Sequence, residues 1–342
     1  MKYLKQSFSQ MEPYFSKNIE DGIILNANES PFAPPKEVMD IFYQRLPELA
    51  FHRYPDMQAV KLCETIARHF GVSPEEVVCG VGSDELLEVT FKAVLEPKDT
   101  VISFSPSFSM YKVFADLALA QFKEVYFHED YTFNVNEMIS CIQKFQPKLV
   151  LICSPNNPTG AFLPEKDVRK IIESTDALVL LDLAYIDFAE KDYTYLAKEY
   201  DNLIVFRTFS KAMALPSIRV GYAISQAENI RMIHAVKAPY SVTTASQLLA
   251  GIALEHYELY LDNIDYIKKE RQRMTEELKK YVTVYPSSAN FLFVKMKDSI
   301  YQDLLAHKIY IRKMKDGMYR ITIGLIEENN SLLKVVMNYA KQ

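Results

Sequence analysis

The chain has 342 residues, of which 49% are hydrophobic and 24% charged, and its formal net charge is -5. This composition is typical of a globular protein large enough for two domains, and the charge argues against a general nucleic-acid-binding protein. The N-terminus lacks the apolar core of a signal peptide, and no apolar run approaches the roughly 18 residues that a membrane span needs. The scattered cysteines and histidines predict a cytoplasmic protein without disulfides or a metal site.

Short apolar runs alternate with longer amphipathic stretches from about Val77 to Ser225. The runs predicted as strands are, in chain order, EVVCGVG, DTVISFSPSF, KLVLICSP, ALVLLDLAY, LIVFRTF and VGYAIS; SDELLEVTFKAVL and MYKVFADLALA are predicted as helices. Near-continuous Val, Ile and Leu content indicates a sheet buried on both faces, and strands separated by helices indicate parallel βαβ units. The prediction is an α/β fold with a mostly parallel central sheet flanked by helices.

The pattern changes after about Thr244. The stretch from Gln247 to Tyr281 has one long helical pattern, and ANFLFVKM, KIYIRK and YRITIG are predicted as strands around a further helix. We therefore expect a smaller α+β domain built from the chain ends. The predicted division is an N-terminal arm and part of the small domain at 1–35, a large domain at 36–245 and a small C-terminal domain at 246–342.

Polar and aromatic residues follow the predicted strands at the points where ligands bind in a parallel α/β sheet. In chain order they are Ser83 and Asp84 at a helix start, Phe108, Asn156 and Asn157, Asp182 with Tyr185, and Ser210 with Lys211, before Arg219. Each alone has an ordinary structural explanation, such as a helix cap, a turn or a surface cation. Together they match the functional groups of one cofactor, pyridoxal 5'-phosphate (PLP).

The reactive end and the ring of PLP account for five of these residues. The aldehyde needs an amine for its covalent attachment, which Lys211 supplies. The pyridine nitrogen stays protonated beside a buried anion, the role predicted for Asp182. Asn157 and Tyr185 are predicted to donate hydrogen bonds to the 3'-oxygen, and Phe108 to stack on the ring. Lys211, Asp182 and Tyr185 are the predicted catalytic residues.

The phosphate of PLP accounts for four of the other residues. A phosphate dianion suits the backbone N–H groups of a helix start, here Ser83 and Asp84. It also suits a hydroxyl and a guanidinium, which Ser210 and Arg219 provide.

The motifs SPNNPTG, DLAYIDF, RTFSKAMALPSIRVGY and YRITIG, in this order, resemble PLP-dependent aminotransferases of fold type I, class I and II. Within these the chain is most similar to the histidinol-phosphate aminotransferase branch, with support from LNANESPF, RYPD, GVGSDELLE and SPSFSMY. The resemblance covers essentially the whole chain. It implies transamination between histidinol phosphate and 2-oxoglutarate in histidine biosynthesis.

The same resemblance implies a homodimer with active sites at the subunit interface. It implies that Tyr54 reaches the neighbouring subunit's cofactor phosphate and that Arg320 binds the anionic group of the substrate. Arg312 and Tyr14 match positions that assist Arg320 in substrate binding.

Two departures from the family pattern bear on the site. Leu183 replaces an acidic residue between Asp182 and Tyr185, and Pro216-Ser217 replaces an Ala-Gly pair before Arg219. Loss of that glycine has the potential to shift the loop that delivers the arginine.

Other functions stay open at this point. An aromatic amino acid aminotransferase shares the anion-binding arginine, and a threonine-phosphate decarboxylase has a similar scaffold. A nicotinamide dehydrogenase fits the α/β pattern, but the chain lacks a clean glycine fingerprint. A catalytically silent binding module also fits the scaffold, although the pair of Asp182 and Lys211 argues against it.

Overall fold

The computed structural model describes residues 5, 8, 19 and 21–340, which form two sheets surrounded by helices. The strands of the described part are β1 (Ile23–Leu25), β2 (Val77–Val81), β3 (Thr100–Ser105), β4 (Gln121–Tyr126), β5 (Leu149–Cys153), β6 (Leu178–Asp182), β7 (Leu203–Thr208), β8 (Val220–Ile224), β9 (Thr283–Tyr285), β10 (Phe291–Lys295), β11 (Ile309–Lys313) and β12 (Met318–Thr322). The α-helices are α1 (Lys36–Arg45), α2 (Val60–Phe70), α3 (Gly82–Val94), α4 (Met110–Leu117), α5 (Val135–Phe145), α6 (Glu165–Glu173), α7 (Ala227–Val236), α8 (Thr244–Glu255), α9 (Leu261–Leu278), α10 (Asp298–Ala306) and α11 (Ile326–Ala340).

The larger sheet has seven strands in the order β2-β8-β7-β6-β5-β3-β4. Strands β3 to β7 run parallel to their neighbours among themselves, and β8 runs antiparallel to both β7 and β2. Successive side chains of the central strands enter two separate hydrophobic clusters: Val150 lies in one and Leu151 in the other. Burial on both faces explains the near-continuous apolar strands, and the predicted mostly parallel α/β sheet is confirmed.

The smaller sheet joins the two ends of the chain. Its five strands have the order β1-β11-β12-β10-β9, and β1 pairs in parallel with β11 through Ile23 opposite Ile309. Since β1 is short, its place depends on strands that lie almost 300 residues further along the chain. The predicted division at residues 35 and 245 stays a prediction.

The single long helical pattern predicted after Thr244 is two helices in the structure. Helix α8 ends before His256, a short 3-10 turn covers Tyr257–Tyr260, and α9 then begins. The break places Tyr260 in the core, while the Tyr257 hydroxyl donates to Asp187 at 3.0 Å. The burial of Tyr260 and the hydrogen bond of Tyr257 depend on tertiary contacts, which helical periodicity does not report.

A buried arginine connects the strand that precedes Lys211 to the segment that follows Asp182. Arg207 of β7 is 5% exposed, and its Nη2 lies 2.7 Å from Asp187 Oδ1. Its Nη1 pairs with Asp192, and the guanidinium lies over the Phe70 ring. Arg207 was not predicted to have a role, because it interrupts an apolar run without any local sign of its partners.

We expect Arg207→Met to lower the free energy of unfolding by about 3 kcal/mol, because it leaves the almost fully buried Asp187 carboxylate without its cation. Urea denaturation of the cofactor-free protein measures this change. The control is Lys112→Met, which removes an exposed ion pair with Asp116 and should cost less than about 1 kcal/mol. Equal effects of the two substitutions would show that the buried pair adds no stability.

Candidate active site

The predicted lysine lies three residues beyond the end of β7. Lys211 is half-buried, its Nζ donates to the Ala27 carbonyl at 3.2 Å, and the same nitrogen lies 5.8 Å from the centre of the Tyr185 ring. Burial lowers the pKa of Lys211 to about 8, and the positive charge of Arg320 acts in the same direction. More of this amine is therefore unprotonated near neutral pH than in an ordinary lysine.

The predicted carboxylate is the last residue of the neighbouring strand β6. Asp182 is 5% exposed; its Oδ2 accepts the Tyr111 hydroxyl at 2.6 Å and its Oδ1 accepts the Ala184 N–H at 3.0 Å. Burial raises the pKa of Asp182 to about 6 although both hydrogen bonds favour the charged form. Since both of these donors are neutral, a cation bound beside Asp182 would stabilise the carboxylate further.

Tyr185, Asn157 and Arg320 form one hydrogen-bonded chain next to Lys211. Arg320 Nη1 donates to Asn157 Oδ1 at 2.6 Å, and Asn157 Nδ2 donates to the Tyr185 hydroxyl at 3.4 Å. Burial raises the pKa of Tyr185 to about 12, so the phenol keeps its proton near neutral pH. These hydrogen bonds connect β12 of the smaller sheet to the strand ends of the larger sheet.

The start of α3 meets the loop that carries Arg219. The Gly82 N–H donates to the Arg219 carbonyl at 3.0 Å, and Arg219 Nη2 lies 3.5 Å from Asp84 Oδ2. Burial raises the pKa of Asp84. Ser83 occupies the first turn of the helix, and Ser210 is buried one residue before Lys211.

The two departures from the family pattern are accommodated locally. Leu183 is fully buried in the hydrophobic core, where an apolar side chain is favourable. Ser217 lies within a 3-10 helix that begins at Pro216. Any residue can adopt this helical conformation, so glycine is not required at this position. The positive φ of this loop falls instead at Ala214 and Arg219.

Glycine is required where β8 passes the start of α3. A Cβ on Gly221 would lie 2.2 Å from the Ser83 nitrogen and 2.5 Å from the Gly82 carbonyl carbon. Gly221→Ala should displace the helix start and weaken binding of the predicted cofactor by about tenfold or more. Fluorescence titration with PLP measures the change.

The matched control for this prediction is Gly251→Ala. Gly251 lies within α8, and a Cβ there would meet nothing within 4 Å, so this substitution should leave PLP affinity unchanged while it stabilises the helix. Unchanged PLP affinity in Gly221→Ala would contradict the packing argument.

The structure gives the following surroundings for Phe108, Arg312 and Tyr54, three of the other predicted site residues. Phe108 is half-buried and packs edge-to-face on Tyr111, with ring centres 5.5 Å apart. Arg312 of β11 stands directly opposite Arg320 of β12 in the antiparallel pair, so both side chains project from one face of the sheet. Tyr54 is 81% exposed and stacks on Tyr240, which is also exposed.

Tyr14 lies outside the described residues. Across residues 21–340 and the three isolated described positions, no group of three or more His, Cys, Asp or Glu side chains is arranged to hold a metal ion. None of the helices in the described part has the length and apolar character of a membrane span.

Two residues of this cluster were missed by sequence reasoning. Tyr111 binds Asp182, but its position on the apolar face of α4 is typical of a core residue. Asn28 donates from Nδ2 to the Tyr185 hydroxyl at 3.0 Å. It belongs to the LNANESPF segment, whose resemblance to the family was a signal that the segment approaches the site.

The model of the family described as aminotransferase class I and II matches residues 20–336 of the chain. The chain belongs to this family. Among curated relatives, the histidinol-phosphate aminotransferase of Thermoanaerobacter pseudethanolicus is 38% identical over 318 residues, covering 90% of each chain. That of Caldanaerobacter subterraneus subsp. tengcongensis is 34% identical over 342 residues, covering 97% of each.

A solved structure shows the same fold. Histidinol-phosphate aminotransferase from Sinorhizobium meliloti, in complex with pyridoxal-5'-phosphate, superposes with a TM-score of 0.86 at 24% identity, covering 93% of this chain and 92% of that one. The resemblance seen in the sequence motifs is thus confirmed for the family and for the fold.

Proposed function

We propose that the protein is a PLP-dependent aminotransferase that transfers the amino group of histidinol phosphate to 2-oxoglutarate in histidine biosynthesis. The observation that carries this proposal is the placement of two residues at the ends of neighbouring parallel strands: Asp182 is the last residue of β6, and Lys211 lies three residues beyond β7. An amine of lowered pKa and a buried carboxylate are what the two ends of a pyridoxal ring require. The curated relatives named above support the substrate.

The residues around the strand ends suit the cofactor. The Asp182 carboxylate, which accepts from two neutral donors, is suited to a protonated pyridine nitrogen. The absence of a side chain at Gly221 lets β8 pass close to the start of α3, where the N–H groups of Ser83 and Asp84 suit a phosphate. We assign Ser210 and Arg219 to the same phosphate, Asn157 and Tyr185 to the 3'-oxygen, and Phe108 to one face of the ring.

When bound, PLP supplies an aldehyde that takes up the substrate's amino group and a ring that accepts the electrons left at the substrate's Cα. The chain supplies the proton transfer and the electrostatics. Lys211 Nζ, with its lowered pKa, takes the proton from the substrate's Cα. Asp182 holds a positive charge on the ring nitrogen, and Tyr185 donates its hydroxyl proton as a hydrogen bond.

Two neighbouring arginines favour a phosphorylated substrate over a single carboxylate. Arg320 and Arg312 lie in register on adjacent strands, which places two guanidinium groups on one face of the sheet. A phosphate monoester carries close to two negative charges near neutral pH and accepts hydrogen bonds from both. An aromatic amino acid offers one carboxylate to the same pair.

Initial rates with histidinol phosphate, phenylalanine and tyrosine, each with 2-oxoglutarate, test the substrate. We expect kcat/KM for histidinol phosphate to exceed the other two by at least about tenfold, the worth of one charge-assisted hydrogen bond. A higher kcat/KM for phenylalanine or tyrosine would assign the protein to the aromatic aminotransferases. Release of carbon dioxide from threonine phosphate would assign it to the decarboxylases.

Arg312→Gln should separate the two substrate types. It removes one cation of the pair, so kcat/KM for histidinol phosphate should fall by about tenfold or more, while that for phenylalanine falls by about twofold. Equal losses for both substrates would contradict a role for Arg312 in phosphate recognition.

We also propose a homodimer in which Tyr54 reaches the cofactor phosphate of the neighbouring subunit. The side chains of Phe51, Tyr54 and Met57 are 67%, 81% and 46% exposed, and Tyr240 is stacked against Tyr54. Exposed large apolar side chains suit a protein interface. Sedimentation velocity of the wild type and of Tyr54→Ala tests the association.

A cytoplasmic location belongs to the same proposal. The cysteines are free thiols, including Cys63 and Cys79, whose sulfur atoms lie 3.7 Å apart without a bond. Thiols this close together stay reduced in a reducing compartment.

A further inference from the structure

Three consecutive residues after β1 each contact a different group of the candidate site. The Asn26 carbonyl accepts from Arg320 Nη2 at 2.7 Å, the Ala27 carbonyl accepts from Lys211 Nζ at 3.2 Å, and Asn28 Nδ2 donates to the Tyr185 hydroxyl at 3.0 Å. This segment, 26–28, therefore lies across the residues that the proposed function assigns to cofactor and substrate.

Asn28 fixes the position of the segment. It is 1% exposed and has a φ of 54°, a left-handed conformation that asparagine tolerates better than most residues. Its N–H donates to Thr322 Oγ1 at 3.0 Å, and its carbonyl accepts from Asn290 Nδ2 at 3.1 Å. Both partners belong to the smaller sheet or its border, so Asn28 ties the segment to that sheet.

Hydrogen-bond chemistry determines which way the Asn28 amide points. The Thr322 hydroxyl accepts the Asn28 N–H, so its single proton is free to donate to Asn28 Oδ1, which lies 3.3 Å away. With its oxygen bound to Thr322, Asn28 turns Nδ2 towards Tyr185. The nitrogen and oxygen of an amide have similar sizes, so shape does not distinguish its two orientations. Here the hydrogen-bond partners determine the orientation.

The same reasoning fixes the second amide at Tyr185. An arginine only donates, so Arg320 selects the oxygen of Asn157 and leaves Asn157 Nδ2 facing Tyr185. The Tyr185 oxygen thus accepts from two amides. Its own proton has to point elsewhere, and each donor polarises the O–H bond and makes it a stronger donor.

We propose that Asn28 and Thr322 are positioning residues that hold the Tyr185 hydroxyl as a hydrogen-bond donor towards the 3'-oxygen of the bound cofactor. This inference rests on the proposed function. Asn28 acts on Tyr185 directly, and Thr322 acts through Asn28. A hydrogen bond donated to the 3'-oxygen stabilises its anionic form. Asn28 and Thr322 therefore lower the pH at which the bound cofactor titrates.

The test is a pH titration of the visible absorption of the PLP-loaded enzyme. Asn28→Gly removes the amide and tolerates the positive φ without strain. Thr322→Val keeps the amide, removes the hydroxyl that orients it and preserves the shape of the side chain. Thr322→Ser retains the hydroxyl. The charged and titratable groups that face Tyr185 are Arg320, Cys153, Asp182 and Lys211, and these variants keep all four.

We expect the titration midpoint to rise by about half to one pH unit in Asn28→Gly and in Thr322→Val, because the donor to the 3'-oxygen is weaker. Thr322→Ser should return the wild-type midpoint. A purely structural role would lower the unfolding midpoint of the variants and leave the absorption midpoint unchanged; that result overturns the inference.

Failure of the proposed function has a different signature. A wild-type protein with no pH-dependent visible absorption after loading with PLP would overturn the proposed function, and the inference with it. A normal wild-type titration that none of the variants shifts would overturn the inference alone.

Discussion

Lys211→Ala should lower the transamination rate by at least about 10⁴-fold, because one side chain both attaches the cofactor and moves the proton at the substrate's Cα. The lowered pKa of the amine, about 8, is the property that suits it to both tasks. The same variant should lose the visible absorption of a covalently attached cofactor. Single-turnover kinetics with PLP-loaded protein and absorption spectroscopy measure the two effects.

The fold should survive this change, because removal of a half-buried amine relieves the cost of burying its charge. Circular dichroism and the urea midpoint verify it. Lys112→Ala is the matched lysine control: its side chain is exposed and paired with Asp116, and the variant should retain the wild-type rate. Retained transamination in Lys211→Ala would remove this lysine from the mechanism.

Asp182→Asn should lower kcat by about 10²–10³-fold, the usual effect of removing one preorganised electrostatic contact from an active site. The asparagine keeps the size of the side chain but no longer pairs with a protonated ring nitrogen. Asp182→Glu is the control: it retains the negative charge but changes the position of the carboxylate, so it separates the effect of charge from that of geometry. A kcat within a few-fold of the wild type in Asp182→Asn would contradict the assignment of Asp182 to the ring nitrogen.

The same substitution should stabilise the cofactor-free protein at neutral pH. Burial raises the pKa of Asp182 from 3.8 to about 6, so the folded chain binds the proton more tightly than the unfolded chain between those values. The contribution of Asp182 to the free energy of unfolding therefore falls as pH rises from about 4 to 6. Each pKa unit corresponds to about 1.4 kcal/mol, which makes the destabilisation at pH 7 on the order of 3 kcal/mol.

Asparagine lacks this cost because it is neutral at every pH and each of its polar atoms has a partner, with the bond to Tyr111 reversed in direction. Its oxygen accepts from Ala184 N–H, and its amide donates to the Tyr111 oxygen. Urea unfolding of both cofactor-free proteins from pH 4 to 8 should give similar stability at pH 4 and a more stable Asp182→Asn variant above pH 6. Higher stability of the wild type at pH 7 would show that the carboxylate is charged and already well compensated.

The sequence predicted the strand-end residues because their signal is local. Asp182 ends a strand whose other residues are all apolar, and Lys211 comes three residues after the end of the next strand. Strands buried on both faces have to run into the core, so the first polar residue after each marks the edge of the sheet where the strands end together.

Residues whose role depends on distant partners were not predictable from such signals. Asn28 meets Thr322 across 294 positions of sequence, a contact that exists only because β1 joins the sheet of the C-terminal strands. Tyr111 lies on the apolar face of a helix, and only the fold shows that its hydroxyl reaches Asp182. Tyr54 is a different case, because its predicted contact is with a second chain and not with a distant part of the same chain.

Borohydride reduction of the PLP-loaded protein, followed by peptide mapping, tests most directly whether Lys211 is the residue that holds the cofactor. The account predicts that the reduced pigment is fixed to the peptide that contains Lys211, and that the label disappears in Lys211→Ala. A label on another lysine, or PLP that dialysis removes after reduction, would contradict the central assignment.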